Sequence, residues 1–180
     1  MLNPALPTNE SQRLEAVKAT GLLGPGLIEA LQPYVRIARS LCDAPIAAIS
    51  LIDQDRQWFK AMDGLEVEGT PRRFSFCAHT ILQKGAFYVP DATQDERFAD
   101  NPLVVNAPGI RFYAGCPLFL QGDLGAGALL VIDRKPRMLS GDTIMRLRDL
   151  ADLVQRDLSA RLSNALDATR SGPAVAPQPA

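Results

Sequence analysis

Two pairs of apolar segments, each joined by a short polar turn, constrain this chain more than any other feature. The first pair lies in "PIAAISLIDQDRQWFKAMDG" (45–64), where an almost unbroken apolar run turns at "DQDR" and returns in "QWFKAMDG". A short continuous apolar run bounded by turn residues is how a strand covered on both faces reads, so 46–63 is predicted to be a β-hairpin. The second pair, "RFYAGCPLFL" and "GAGALLVIDR", is joined by "QGD". Tight turns leave the paired strands antiparallel. The chain is thereby committed to an antiparallel sheet that needs cover on both faces.

Helical patterns supply that cover. Leu14, Val17 and Leu22 mark a first helix from about Ser11, stopping at Gly21 or Gly24. Leu27, Leu31, Tyr34, Val35, Ala38 and Leu41 mark a second over 27–42, in which Pro33 either bends the helix or marks its true first turn. A helix is expected over 71–83 and a short strand at "AFYVPD" (86–91). The stretch 91–110, rich in Asp, Asn and Pro, reads as one long loop, and loops beyond about 12–15 residues in a compact domain are usually functional or disordered. Ser140 caps a long terminal helix with Asp142 in its first turn. The predicted fold is α+β: an antiparallel sheet of five to six strands, with the N- and C-terminal helices on one face and helix and loop segments over the other. Residues 1–9 are expected to be flexible, 10–166 to form the domain, and the Pro/Ala-rich 167–180 to be a disordered tail.

Composition narrows the function classes. A chain of 180 residues fits one domain. Lys and Arg number 19 against 20 Asp and Glu, a formal charge of −1, which offers no field to hold a nucleic-acid backbone. Three cysteines without a C-x-x-C spacing argue against a disulfide framework or a structural zinc site and for a reducing compartment. No apolar run is long enough to span a membrane and no secretory signal is visible, so a soluble, cytoplasmic protein is expected.

The stretch "RRFSFCAHTIL" (72–82) contains the only histidine, His79, two positions after Cys77. Ser75 is a good N-cap for a helix beginning at Phe76. Residues two apart on a helix diverge by about 200°, so Cys77 and His79 cannot form a nucleophile–base dyad or serve one metal ion. Cys77 reads as a small apolar core residue, with acidification at the helix start as the alternative. His79 either bonds a backbone carbonyl or faces a cavity beneath the long loop. The acidic residues of that loop, Asp91, Asp95, Glu96 and Asp100, lack calcium-loop spacing and read as caps and turn bonds. "GLLGPG" follows a helix rather than a strand and is not a phosphate loop. Trp58 is either a pocket wall or a core or interface residue.

The blocks "APIAAISLIDQDRQWFKA", "TPRRFSFCAHTIL", "VPDATQDERFADNPLV", "GIRFYAGCPL" and "GALLVIDRKPRMLS", in that order, resemble a GAF domain over about Glu10 to Leu162. The likeness is to the bacterial signalling subgroup usually found upstream of histidine kinases and diguanylate cyclases. It implies a stand-alone, non-catalytic module that senses a small molecule or regulates a partner, with an adaptor that binds no ligand as the alternative. A redox enzyme of the free methionine sulfoxide reductase kind, which works through cysteines, is a third reading. The resemblance also implies a ligand site between the sheet and its covering segments, with Trp58, Phe76, His79, Phe98, Arg111 and Tyr113 as its candidate residues. In it Arg111 would pair with an anionic group and the aromatic rings would stack. Bilin-binding relatives carry Cys followed directly by His, where Ala78 intervenes here, and the Asn-Lys signature of cyclic-nucleotide-binding relatives is absent. The cofactor is therefore left unnamed. Output is expected through a separate signalling protein or through a homodimer formed by the terminal helices. Ile144, Leu147, Ala151, Val154, Leu158 and Leu162 make a stripe that Leu150 and Leu153 widen.

Overall fold

The computed structural model describes residues 1–170, with side chains described to Ala160 and at Ser163. From residue 171 onward the Pro/Ala-rich tail lies outside the described residues, as does the side chain of Leu162. Six strands form one sheet: β1 (Ile46–Ile52), β2 (Arg56–Asp63), β3 (Gly69–Pro71), β4 (Phe87–Val89), β5 (Phe112–Leu120) and β6 (Leu124–Asp133). Their order is β3-β2-β1-β6-β5-β4 and every neighbouring pair is antiparallel. Both hairpins form as the tight turns require, β1–β2 and β5–β6, and β1 pairs with β6 at the centre.

Alternation along the central strands sorts the core into two layers. Ala47 and Ile49, Phe112, Ala114 and Cys116, and Leu129 and Val131 face one side. Ile46 and Ala48, Tyr113, and Leu130 and Ile132 face the other. The first side is covered by α1 (Glu10–Ala19), α2 (Gln32–Leu41) and α5 (Gly141–Arg170). Pro33 sits in the first turn of α2, where its missing N–H costs nothing, behind a 3₁₀ turn at Glu29–Leu31. Ser140 caps α5 by accepting from the Thr143 N–H at 3.1 Å.

The second side is covered by shorter pieces. α3 (Phe76–Thr80) follows a 3₁₀ turn at Arg72–Phe74, and α4 (Pro102–Val105) interrupts the stretch expected to be loop throughout. A bulge in β2 matters here. Ile49 pairs with Ala61 while Ser50 pairs with Phe59, so Lys60 is an extra residue. Ala61 therefore packs with the long helices and Phe59 with α3, although both are odd-numbered. The first residues, expected to fray, lie along the loop before α4: the Leu2 N–H donates to the Arg97 carbonyl at 3.2 Å and the Met1 amino group pairs with Asp100.

Candidate functional site

The bulge sets the face that β2 shows to α3. With Phe59 turned inward, Gln57 points the same way and Trp58 the opposite way. Gln57 and Phe59, together with Tyr113, Leu130 and Ile132, form the floor of a cavity of about 370 Å³. Ser75, Phe76 and Cys77 form one wall, Leu103 and the segment at Ala107, Pro108 and Ile110 another, and Leu65, Val67 and Thr70 a third, with Arg134 at the rim.

Two of the walls are fixed by identifiable bonds. Ser75 caps α3 by accepting from the Ala78 N–H at 3.1 Å, as its position predicts, and its hydroxyl donates to Gln57 Oε1. Gln57 Nε2 and the Tyr113 hydroxyl both reach Cys77 Sγ at 3.4 Å, and Tyr113 shares a 2.7 Å hydrogen bond with the Thr80 hydroxyl. Tyr113 lies over Gly115, two residues along the same face of β5, where any Cβ would collide with its ring and hydroxyl. The opposite wall hangs on Asn101. Its Oδ1 accepts from the Leu103 N–H at 2.9 Å to cap α4, and its Nδ2 donates to the Phe74 carbonyl at 3.0 Å, joining the two covering pieces.

The interior is uncharged. Burial pushes the Cys77 thiol up and the Tyr113 phenol well up, so both stay protonated near neutral pH. Arg134 is the one ionised group among the lining residues. The Thr70 hydroxyl is buried in the wall with no hydrogen-bond partner among the described residues.

Of the six residues named from sequence, Phe76 and Tyr113 line this cavity and the other four lie outside its lining. Trp58 is on the far face of β2, with the Arg56 guanidinium 4.9 Å from its ring. Phe98 is fully buried behind Phe76, the two rings stacked at 3.9 Å. His79 packs edge-on against Phe98 at 4.9 Å and beside Phe87, and burial together with the nearby Arg97 holds its pKa below the usual value. Arg111 donates to the carbonyls of Val104 at 2.8 Å and Ile110 at 3.1 Å, tying down the end of α4. Cys77 and His79 thus point to different surroundings, as the helical spacing requires. Gln57, Thr70, Ser75, Cys77 and Arg134 also line the cavity, and the motif blocks do not mark them as site residues. A buried-face glutamine two positions before Phe59 was the one available signal, and it needed the bulge to be read.

The remaining thiols belong to the other layer. Burial raises Cys42 to about 11 and Cys116 to about 12, so neither is a thiolate at neutral pH.

The GAF domain family model matches residues 26–158. A cyclic di-GMP phosphodiesterase of Pseudomonas aeruginosa is 45% identical over 169 residues, covering 93% of this chain and 29% of the relative. The chain therefore spans less than a third of that protein's length. The expectation of a protein without enzymatic activity is overturned by this relative, which is named as an enzyme and matches nearly the whole chain. The relative supports a role in signalling. Among solved structures, the GAF domain of an Acinetobacter phosphoenolpyruvate-protein phosphotransferase superposes with a TM-score of 0.57 at 15% identity, covering 88% of this chain and 98% of that one. A free methionine-R-sulfoxide reductase from Neisseria meningitidis superposes with a TM-score of 0.60 at 14% identity, covering 93% and 98%. At such identities the likeness is one of fold. With the ordered motifs, the two-layered antiparallel sheet and the match over most of its length, this chain belongs to the GAF domain family.

Proposed function

We propose that this domain senses a small molecule in its cavity and regulates cyclic di-GMP hydrolysis, acting as a homodimer or on a partner signalling protein. The observation that carries the reading is the cavity itself. It is apolar, about 370 Å³, within the range of small-molecule sites, and has a buried hydroxyl in its wall without a partner among the described residues. Leaving such a hydroxyl unpaired costs about 1–3 kcal/mol, which a bound ligand offsets. An adaptor without a ligand would be expected to fill this space with side chains, so the open volume favours the sensing reading. The phosphodiesterase relative supports the choice of pathway.

The test pairs native mass spectrometry with cyclic di-GMP hydrolysis by the protein as isolated from its source. Leu103→Trp fills the cavity from its half-buried wall. The expected result is a small mass retained by the wild type and lost from the variant, with a several-fold change in hydrolysis. No retained mass, no stabilisation by any candidate compound and an unchanged rate would overturn the reading.

A further inference from the structure

The lining is specific enough to name a ligand class, an inference that rests on the sensing reading above. Arg134 is exposed at the mouth, whereas Gln57, Ser75, Cys77 and Tyr113 are buried, so the cavity has a charged entrance and a neutral interior. Among the described residues the Arg134 guanidinium spends only Nε, donating to the Pro108 carbonyl at 3.1 Å. It makes no ion pair among the described residues. The adjacent carboxylate, Asp133, is taken by Arg137 at 3.4 Å and by the Lys135 N–H at 3.1 Å. Its two terminal amino groups, in a planar fork at the rim, therefore have no partner among the described residues, the arrangement that receives a carboxylate bidentately.

Inside, most polar groups satisfy one another: Ser75 bonds Gln57, Gln57 and Tyr113 reach Cys77, and Tyr113 bonds Thr80. Among the described residues of the lining only the Thr70 hydroxyl is unpaired, so the interior offers a ready partner to one neutral oxygen. Phe59, Leu130 and Ile132 offer nothing to an ion. A second negative charge, as on a nucleotide or cyclic dinucleotide, would sit among these walls at a prohibitive desolvation cost. A wholly apolar ligand would leave the fork unused.

We propose that the cavity takes a monoanionic carboxylic acid with an apolar body, its carboxylate on Arg134 and its body between Phe59, Leu130 and Ile132. A fatty-acyl chain and an aromatic ring system share this chemistry, and the experiment separates them. Calorimetric titration of the protein uses decanoate and 2-naphthoate, their neutral counterparts decanol and 2-naphthol, and cyclic di-GMP as the polyanion. At least one acid is expected to bind about tenfold or more tighter than its neutral counterpart, the gain of one charge-assisted pair. Arg134→Gln, at an exposed position, should remove that advantage and leave the neutral compound unchanged. Preference between the two acids then tells chain from ring.

Equal binding of acid and neutral compound, or no effect of Arg134→Gln, overturns the carboxylate class while the sensing reading stands. Cyclic di-GMP binding that Leu103→Trp abolishes does the same. If no probe binds, the mass retained on native spectrometry decides: an apolar acid supports the proposal and any other compound overturns it. No binding together with no retained mass overturns the carboxylate class, and with an unchanged rate of hydrolysis in Leu103→Trp it overturns the sensing reading as well.

Discussion

Glu10 shows how one side chain joins parts of the chain that the sequence keeps far apart. Its carboxylate receives Arg13 Nε at 2.8 Å and Nη2 at 2.9 Å, and Arg72 Nη1 at 2.5 Å and Nη2 at 3.3 Å. Arg13, with no exposed surface, also donates to the Ile52 carbonyl at 2.7 Å, and Arg72 to that of Asp53 at 3.1 Å. Buried guanidinium groups persist only when paired and hydrogen-bonded. Burial by itself raises the Glu10 pKa, but the hydrogen bonds and charges of the two arginines outweigh it and bring the group from 4.5 to about 2. A carboxylate depressed on folding contributes stability that is complete above its unfolded pKa and is lost as the pH falls toward the folded one. Glu10→Gln is therefore expected to lower the unfolding free energy by about 2 kcal/mol near neutral pH, less than the full shift implies because the carboxylate touches water. Urea unfolding at a series of pH values should show the gap to wild type closing between about pH 4.5 and pH 2. A gap independent of pH would show that the carboxylate's charge contributes nothing.

At the scale of elements, the cavity depends on α3 and α4 being held apart and yet tied together, and Asn101 does the tying. It is 1% exposed, caps α4 through Oδ1 and reaches across to the Phe74 carbonyl before α3. Asn101→Ala removes a cap and strands a carbonyl, for a combined loss of about 2 kcal/mol. Hydrogen exchange should quicken over residues 101–106 while β1 and β6 stay protected; uniform protection would mean that α4 does not depend on this side chain. The same scale separates what the sequence makes legible from what it does not. The hairpins, the Ser75 and Ser140 caps and the place of Pro33 are local chemistry, and each could be read from a few neighbouring residues. Phe76 and Tyr113 were also legible, as aromatic residues in motif blocks. Gln57 and Arg134 were not, because their roles depend on long-range events. The bulge at Lys60 reverses which residues of β2 face the cavity, and nothing at Lys60 itself announces it. Arg134 becomes the rim only because the loop at Pro108 folds back onto the end of β6. Arg111 reads as the equivalent cation in sequence, but the carbonyls of Val104 in α4 and of Ile110 take it first.

For the whole molecule, the terminal helices both cover the first side of the sheet and carry the surface on which the proposed dimer rests. Leu147, Leu150, Ala151, Val154 and Leu158, most of the apolar stripe on α5, are spent inside the chain against α2 and the sheet. Among the described side chains, the large apolar residues that α5 leaves outside are Met145, 57% exposed, and Leu153, 48% exposed, and α2, packed beside it, leaves Ile37 at 52%. Single exposed apolar residues are ordinary, so the case rests on three of them standing on adjoining helices. The sheet links this surface to the cavity: β5 turns Tyr113 toward the cavity while Phe112, Ala114 and Cys116 of the same strand pack with α5. A shift of β5 on ligand binding would reach the helices directly. Light scattering over a concentration series is expected to show a dimer for the wild type and a monomer for the variant carrying Ile37→Glu and Leu153→Glu. The melting temperature of the monomer should be nearly unchanged, because both side chains are exposed and belong to neither core layer. A wild type that stays monomeric at every concentration, or a variant that still dimerises, would leave the signal to pass through a partner protein instead.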